Sequence, residues 1–206
     1  MKKIIFASSN QHKLEEVRRF FKLYDILSLK DIGFNKEIVE DGYSFQENAM
    51  IKASAVLEFV QNDPVLREYP IIAEDAGLCV KAINYEPGIY SARYSGKGDE
   101  GNRQLLLQKL QTIQDRTAYF QCYVVLVMPS GESLIFDGKT YGLITKTKIG
   151  DESFGYDCIF WSDKLRKTFG QATPEEKDSV SHRIMALQKV KEYLDSVGYV
   201  SSDVDI

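Results

Sequence analysis

The sequence predicts an α/β protein built on a mixed sheet, and three stretches carry that reading. Lys3 to Ala7 is a short apolar run, followed by the polar loop Ser8 to Lys13 and then by Leu14, Val17, Phe20 and Phe21 at helical spacing. Ile71-Ile72-Ala73-Glu74-Asp75-Ala76-Gly77-Leu78 is a second apolar run, which reads as a buried strand ending in two carboxylates and a glycine. Ala118 to Met128, Ser133 to Phe136 and Tyr141 to Lys148 have strand patterns, with Pro129-Ser130-Gly131 as a turn, which describes an antiparallel meander.

At 206 residues and 44% apolar content, the chain can bury a sizeable core, as one large domain or as two small lobes that share one. A formal net charge of -4 leaves no basic footprint for a nucleic-acid backbone, whereas a small phosphorylated ligand needs only a local cluster of Lys and Arg. Cys79, Cys122 and Cys158 form no CxxC pair and read as packing residues of a reduced, cytoplasmic protein. With His12 and His182 as its only histidines, the chain lacks the usual zinc donors, so a bound metal is expected to be held by oxygen. Met1 to Phe6 holds too short an apolar run for a signal peptide. No segment approaches the ~20 apolar residues of a membrane span, and no membrane partner is expected.

The elements follow in order. In the first loop, Ser8, Ser9 and Lys13 offer donors to a phosphate at a helix N-terminus, although Asn10 or Ser9 acting as a plain helix cap explains the same residues. A second strand falls near Asp25 to Leu29. Glu40-Asp41-Gly42 signals a turn, and Ser44 with Glu47 has capping-box spacing for a helix whose stripe is Ala49, Ala53, Val56, Leu57 and Val60, stopped at Asn62-Asp63-Pro64. Lys52 lies on that helix and reads, by itself, as a surface lysine.

Glu74 and Asp75 are placed where a strand leaves the sheet, a usual site position in α/β proteins, and their oxygens suit Mg²⁺. One of them capping a turn while the other is solvated is the plainer alternative. Leu78 to Ala82 reads as a further short strand, and Glu86 to Gly96 as an ordered loop in which Arg93 either binds phosphate or braces the site. Asp99 is in place to cap a scaffold helix carrying Leu105, Leu106, Lys109 and Leu110. Phe154-Gly155-Tyr156-Asp157 sets two aromatics and a carboxylate about a glycine, a set able to hold a nucleobase or simply to fill a core. Thr173-Pro174-Glu175-Glu176 starts a helix, Ile184, Leu187, Val190 and Leu194 give an apolar face up to Gly198, and His182 and Arg183 stand at or near a helix start. The tail from Ser201 to Ile206 reads as frayed.

Six motifs in one order make a specific pattern. They are Ala-Ser-Ser-Asn-x-x-Lys at 7 to 13, Phe-x-Glu-Asn-Ala at 45 to 49, Glu-Asp-Ala-Gly-Leu at 74 to 78, Pro-Gly-Ile-Tyr-Ser-Ala-Arg-Tyr at 87 to 94, Phe-Gly-Tyr-Asp at 154 to 157 and Ser-His-Arg at 181 to 183. Together they resemble the inosine/xanthosine triphosphate pyrophosphatase family over nearly the whole chain. The resemblance implies a single domain over residues 1 to 206, with an elongated mixed β-sheet flanked by helices and two lobes around a central cleft. It also implies a homodimer and Mg²⁺-dependent hydrolysis of deaminated purine nucleoside triphosphates to the monophosphate and pyrophosphate.

Residue by residue, the resemblance implies that Ser8, Ser9, Asn10 and Lys13 belong to a phosphate loop, that Glu40 and Asp75 are metal carboxylates, and that Asp75 is the general base. Lys52 and Lys177 match triphosphate contacts and Ala76 falls in the same substrate-binding run. Phe154, Gly155, Tyr156 and Asp157 match the base pocket, which His182 and Arg183 complete. Four positions depart from the family's pattern: Ser8-Ser9 for Thr-Gly, Glu74 for Asp, Ala76 for Ser, and Cys158 for Pro. Ser9 loses the conformational freedom of a glycine, and Ala76 loses a hydroxyl donor. A related pyrophosphatase for modified pyrimidine nucleotides, or a nucleotide-binding sensor with little turnover, are the alternative functions.

Overall fold

The computed structural model describes residues 1–200, and the segment 201–206 read above as frayed lies outside the described residues. The elements are β1 (Lys3–Phe6), α1 (Gln11–Phe20), β2 (Asp25–Leu27), α2 (Phe45–Val60), β3 (Ile71–Val80), α3 (Gly98–Lys109), β4 (Thr117–Val127), β5 (Ser133–Ile144), β6 (Phe160–Ser162), β7 (Lys167–Thr168), α4 (Pro174–Asp178) and α5 (His182–Ser196). The seven strands form one open sheet in the order β2-β1-β3-β4-β5-β6-β7. β1 is parallel to both β2 and β3, whereas β6 is antiparallel to β5 and β7, so the sheet is mixed as expected.

Local signals placed the helix starts well. The Asn10 side chain caps α1 by accepting from the Lys13 N–H, and Ser44 caps α2 by accepting from the Glu47 N–H. Thr173 and Glu176 form a reciprocal capping box on α4, and Ser181 Oγ accepts from the Ile184 N–H at the start of α5. On α2, Ala49, Ala53, Val56 and Val60 are buried as predicted, but Leu57, predicted in the same stripe, is 39% exposed.

The strands differ from expectation in two places. β3 runs unbroken through Val80, so Glu74 and Asp75 sit within a strand and not at its end, and the separate strand expected at Leu78 to Ala82 does not exist. The chain turns only at Lys81–Ile83, a 3₁₀ segment. The two carboxylates do not break the strand because their charges are met by side chains from other elements. Similarly, the two strands expected on either side of Asp137 to Thr140 are one, β5. β6 and β7, with three and two residues, are too short to show a periodic pattern and went unpredicted.

The chain divides into two compact units, each with its own core. The first comprises Met1–Asp75, Tyr123–Asp137 and Ala186–Ile206, and Ile5, Ile71 and Ala73 of its strands pack with Ala49, Ala53 and Val56 of α2. The second comprises Ala76–Cys122 and Gly138–Met185, with Leu78, Leu106, Phe120, Ile144, Phe160 and Phe169 at its centre. Cys79, Cys122 and Cys158 are all free and buried, which agrees with their reading as packing residues. No helix among the described residues is long and apolar enough to cross a membrane.

Candidate active site

In the first unit, the register of β1 against β3 sets the geometry. Ile5 lies opposite Ile71 and Phe6 opposite Ile72 on parallel strands, so the loop that follows β1 leaves the sheet beside Glu74 and Asp75. Lys13, in the first turn of α1, then brings Nζ to 2.9 Å from Glu74 Oε1. Ser8 Oγ accepts from the Asn10 N–H at 3.1 Å, and the Asn10 side chain accepts from the Lys13 N–H at 3.1 Å, which gives the loop a fixed turn. Ser9 keeps an ordinary negative φ, so the serine in place of glycine is accommodated without strain.

Asn48 and Lys52 are four residues apart on α2 and share one face. Asn48 is fully buried and donates from Nδ2 to Asp75 Oδ2 at 3.2 Å, while its Oδ1 accepts from the Gly42 N–H at 2.9 Å. Only glycine fits at position 42, because a Cβ there would stand 2.8 Å from Asn48 Oδ1. Lys52 Nζ lies 2.7 Å from Glu40 Oε1 and 4.0 Å from Asp75 Oδ1. Burial pushes the Asp75 carboxyl above its ordinary range, opposed by the Lys52 and Lys13 charges and reinforced by Glu40.

Of these five charged groups three are acids and two are ammonium ions, so the cluster carries a negative excess. Its donors are carboxylate oxygens, the chemistry a hard cation takes. Among the described residues no three or more His, Cys, Asp or Glu gather into a ready metal cluster. Mg²⁺ differs from zinc here, because it keeps several waters and needs only one or two carboxylates besides substrate phosphates. Glu40 and Asp75 therefore fit it.

The second unit assembles the aromatic loop. Gly155 has φ +52, a left-handed conformation, and Tyr156 behind it is buried with its hydroxyl donating to the Ser91 carbonyl at 2.7 Å. Lys177 Nζ pairs with Asp157 Oδ2 at 2.7 Å and lies 5.0 Å from the centre of the Phe154 ring. His182 and Arg183 open α5 and are both buried, with the His182 ring stacked on Phe120 at 4.8 Å and 12°. Ala76, on β3, is half-buried and has no hydroxyl.

Lys177, expected like Lys13 and Lys52 to contact the triphosphate, pairs with Asp157 and lies near the Phe154 ring. Asp99 does not cap α3, whose N-cap is Lys97; its carboxylate instead accepts from the Gly155 N–H at 2.8 Å. Arg93 is exposed at the end of a 3₁₀ turn, 5.3 Å from the centre of the Tyr90 ring. Sequence reasoning missed Asn48, although the motif at 45 to 49 contains it, because an asparagine inside a helix gives no sign of a partner 27 residues away. It also left α3 as plain scaffold and so missed Arg103, which donates to the carbonyls of Glu152 and Gly155.

With this geometry in view, comparison with known proteins is direct. A model of the Ham1 family matches residues 4–193. A dITP/XTP pyrophosphatase of Clostridium perfringens is 39% identical, over 96% of this chain and 99% of that protein. One of Leuconostoc mesenteroides is 40% identical, over 91% and 94%. The solved structure of the Staphylococcus aureus Ham1 protein superposes with a TM-score of 0.82 at 37% identity, covering 95% of this chain and all of that one. Sequence and fold agree over nearly the full length, and the chain belongs to the Ham1 family.

Proposed function

We propose that this protein is a Mg²⁺-dependent nucleoside triphosphate pyrophosphatase that hydrolyses deaminated purine nucleotides (inosine, deoxyinosine and xanthosine triphosphates) to the monophosphate and pyrophosphate. The observation that carries the reading is the pairing of a buried carboxylate, Asp75, with Asn48, Lys52 and Glu40 in an oxygen-rich, lysine-flanked cluster. The names of the relatives, dITP/XTP pyrophosphatases, support the same reaction.

Asp75 has the properties of a general base: its ionised form is raised in proton affinity by burial and oriented by Asn48. In the proposed reaction it takes a proton from water as the water oxygen bonds to the α-phosphorus. The bond from that phosphorus to the bridging oxygen breaks, and pyrophosphate leaves with the electron pair. Lys13, Lys52 and Lys177 supply positive charge to the phosphate oxygens, and Ser8, Ser9, Asn10 and the N–H groups at the start of α1 donate to them. A Mg²⁺ ion held by Glu40 and Asp75 would supply further charge to those oxygens.

Recognition of the base is assigned to Phe154, Gly155, Tyr156, Asp157, His182 and Arg183. A keto oxygen at the purine six position accepts from Arg183 or the backbone, whereas adenine presents a donor to a donor; guanine shares that oxygen, and its rejection comes from crowding or lack of a partner at its two-amino group. An unpaired buried group of that kind costs about 1–3 kcal/mol, or roughly 5- to 150-fold. The reading treats the chain as one catalytic domain, places it in the cytoplasm on the strength of three reduced buried cysteines, and expects a homodimer, which light scattering on the purified protein tests.

The deciding experiment is a pyrophosphate-release assay over a panel of nucleoside triphosphates with and without Mg²⁺. Inosine, deoxyinosine and xanthosine triphosphates are expected to be turned over and ATP, GTP and the common pyrimidines to be poor. Equal efficiency on ATP and inosine triphosphate would sink the base assignment. Tight binding without pyrophosphate release would favour a nucleotide sensor, and turnover of modified pyrimidines alone would favour the pyrimidine enzyme.

A further inference from the structure

One glycine of the second unit is held from both sides by α3. The Gly155 N–H donates to Asp99 Oδ2 at 2.8 Å, and the Gly155 carbonyl accepts from Arg103 Nη1 at 2.7 Å. The same nitrogen reaches the Glu152 carbonyl at 3.2 Å. Arg103 is only 4% exposed, and Glu100 orients it by accepting from Nε at 3.2 Å and from Nη2 at 2.9 Å. Lys148 links Glu100 to Glu152, with Nζ 3.2 Å from one carboxylate and 2.7 Å from the other.

Holding both the N–H and the carbonyl of one residue pins the peptide planes on either side of its Cα. A glycine at φ +52 would otherwise be the loosest point of the loop. Phe154 is attached to one of those planes and Tyr156, with Asp157 behind it, to the other. The directions of these side chains therefore depend on where the two planes are held. Charge-assisted bonds to a buried guanidinium are suited to this, being shorter and stronger than neutral ones.

We propose that Arg103, oriented by Glu100, is a positioning residue for base recognition, fixing the Gly155 backbone and through it Phe154, Tyr156 and Asp157 without itself touching the nucleotide. This rests on the reading of those residues as base contacts. Two further anchors of the loop, from Tyr156 to the Ser91 carbonyl and from Lys177 to Asp157, are independent of Arg103. Loss of Arg103 then displaces the loop without releasing it, and a displacement of about 1 Å is enough to cost about 10²-fold.

The test compares Arg103→Met and Arg103→Lys with the intact protein, using inosine triphosphate, GTP and, as a probe of the phosphate groups alone, inorganic tripolyphosphate as inhibitor. For Arg103→Met, KM for inosine triphosphate is expected to rise about 10- to 100-fold. Its kcat should fall less, its preference over GTP should narrow, and tripolyphosphate inhibition should be unchanged. Arg103→Lys keeps the charge but not the fork of donors, and falls between. Unchanged KM and preference, or equal losses for inosine triphosphate and tripolyphosphate, overturn the proposal. Should Arg103→Met fail to fold, Glu100→Gln keeps the guanidinium and removes its orienting charge, and a smaller shift in the same direction is expected; none overturns it. Hydrogen exchange of the Gly155 amide gives a readout free of substrate: faster exchange in Arg103→Met supports the clamp and unchanged exchange refutes it. If the intact protein turns over no deaminated purine triphosphate, the functional reading is what fails, and the exchange measurement still decides the clamp.

Discussion

Lys13 and Glu74 form an ion pair at 2.9 Å in which the carboxylate is almost wholly buried, with its side chain 1% exposed against 18% for the lysine. The pair joins the first turn of α1 to the middle of β3, and it explains how an acid can occupy an apolar strand. Removing the lysine would take this counter-charge from a buried carboxylate. Lys13→Met should therefore lower unfolding stability by about 3–5 kcal/mol, and Glu74→Gln by much less, because the amide can still be hydrogen-bonded. Urea unfolding of the two variants checks this, and equal losses would show that the burial of Glu74 is not what the pair compensates.

Asp75→Asn separates activity from stability. Turnover should fall by at least ~10²-fold, the effect of losing an acid-base group. Stability at neutral pH should not fall in metal-free protein. The folded-state pKa of Asp75 is raised, so its ionised form is favoured less in the folded than in the unfolded chain, and that cost is relieved only as pH drops through the raised value. Asparagine keeps the shape and removes the cost. A melting temperature well below that of the intact protein would contradict this account.

The effects of Lys52→Ala and Lys177→Ala should differ by ligand. Lys52 meets Glu40 and stands near Asp75, so its loss is expected to weaken a nonhydrolysable triphosphate about 10- to 100-fold while hardly affecting the monophosphate. Lys177 meets Asp157 and the Phe154 ring, and as a proposed triphosphate contact its loss too should weaken the triphosphate more than the monophosphate. Calorimetric titration with each ligand decides, and equal losses for both ligands would show that the lysine acts on structure or on the base.

Glu40→Gln should raise the Mg²⁺ concentration needed for half-maximal activity, since one of two oxygen donors for the cation loses its charge. A metal titration identical to that of the intact protein would remove Glu40 from the metal site.

Hydrogen bonds from Arg103, Lys148 and Gln104 hold the Glu100 carboxyl down, to about 2 from an ordinary 4.5. With the folded value depressed, its contribution to stability is complete above about 4.5 and is lost as pH falls towards 2. The melting-temperature difference between intact protein and Glu100→Gln should accordingly be constant near neutrality and close progressively across that window. In Arg103→Met the Glu100 carboxyl, followed by NMR titration, should move back up; a static value would detach Glu100 from Arg103.

Short-range signals in the chain were enough for the class of fold, the helix starts at Asn10, Ser44 and Thr173, and the buried strand that carries Asp75. Those features depend on contacts within a few residues, and periodicity and capping record such contacts directly. Motif order added the family, and with it the roles proposed for Glu40, Lys52 and Arg183. Partnerships across long stretches of chain leave no local trace. That Asn48 holds Asp75, that Lys177 faces Asp157, and that α3 grips Gly155 through Asp99 and Arg103 emerged only from the folded molecule. The same limit explains β3: two adjacent carboxylates look like a strand's end until Lys13, Lys52 and Asn48 arrive from other elements to neutralise and hydrogen-bond them, and the strand continues to Val80.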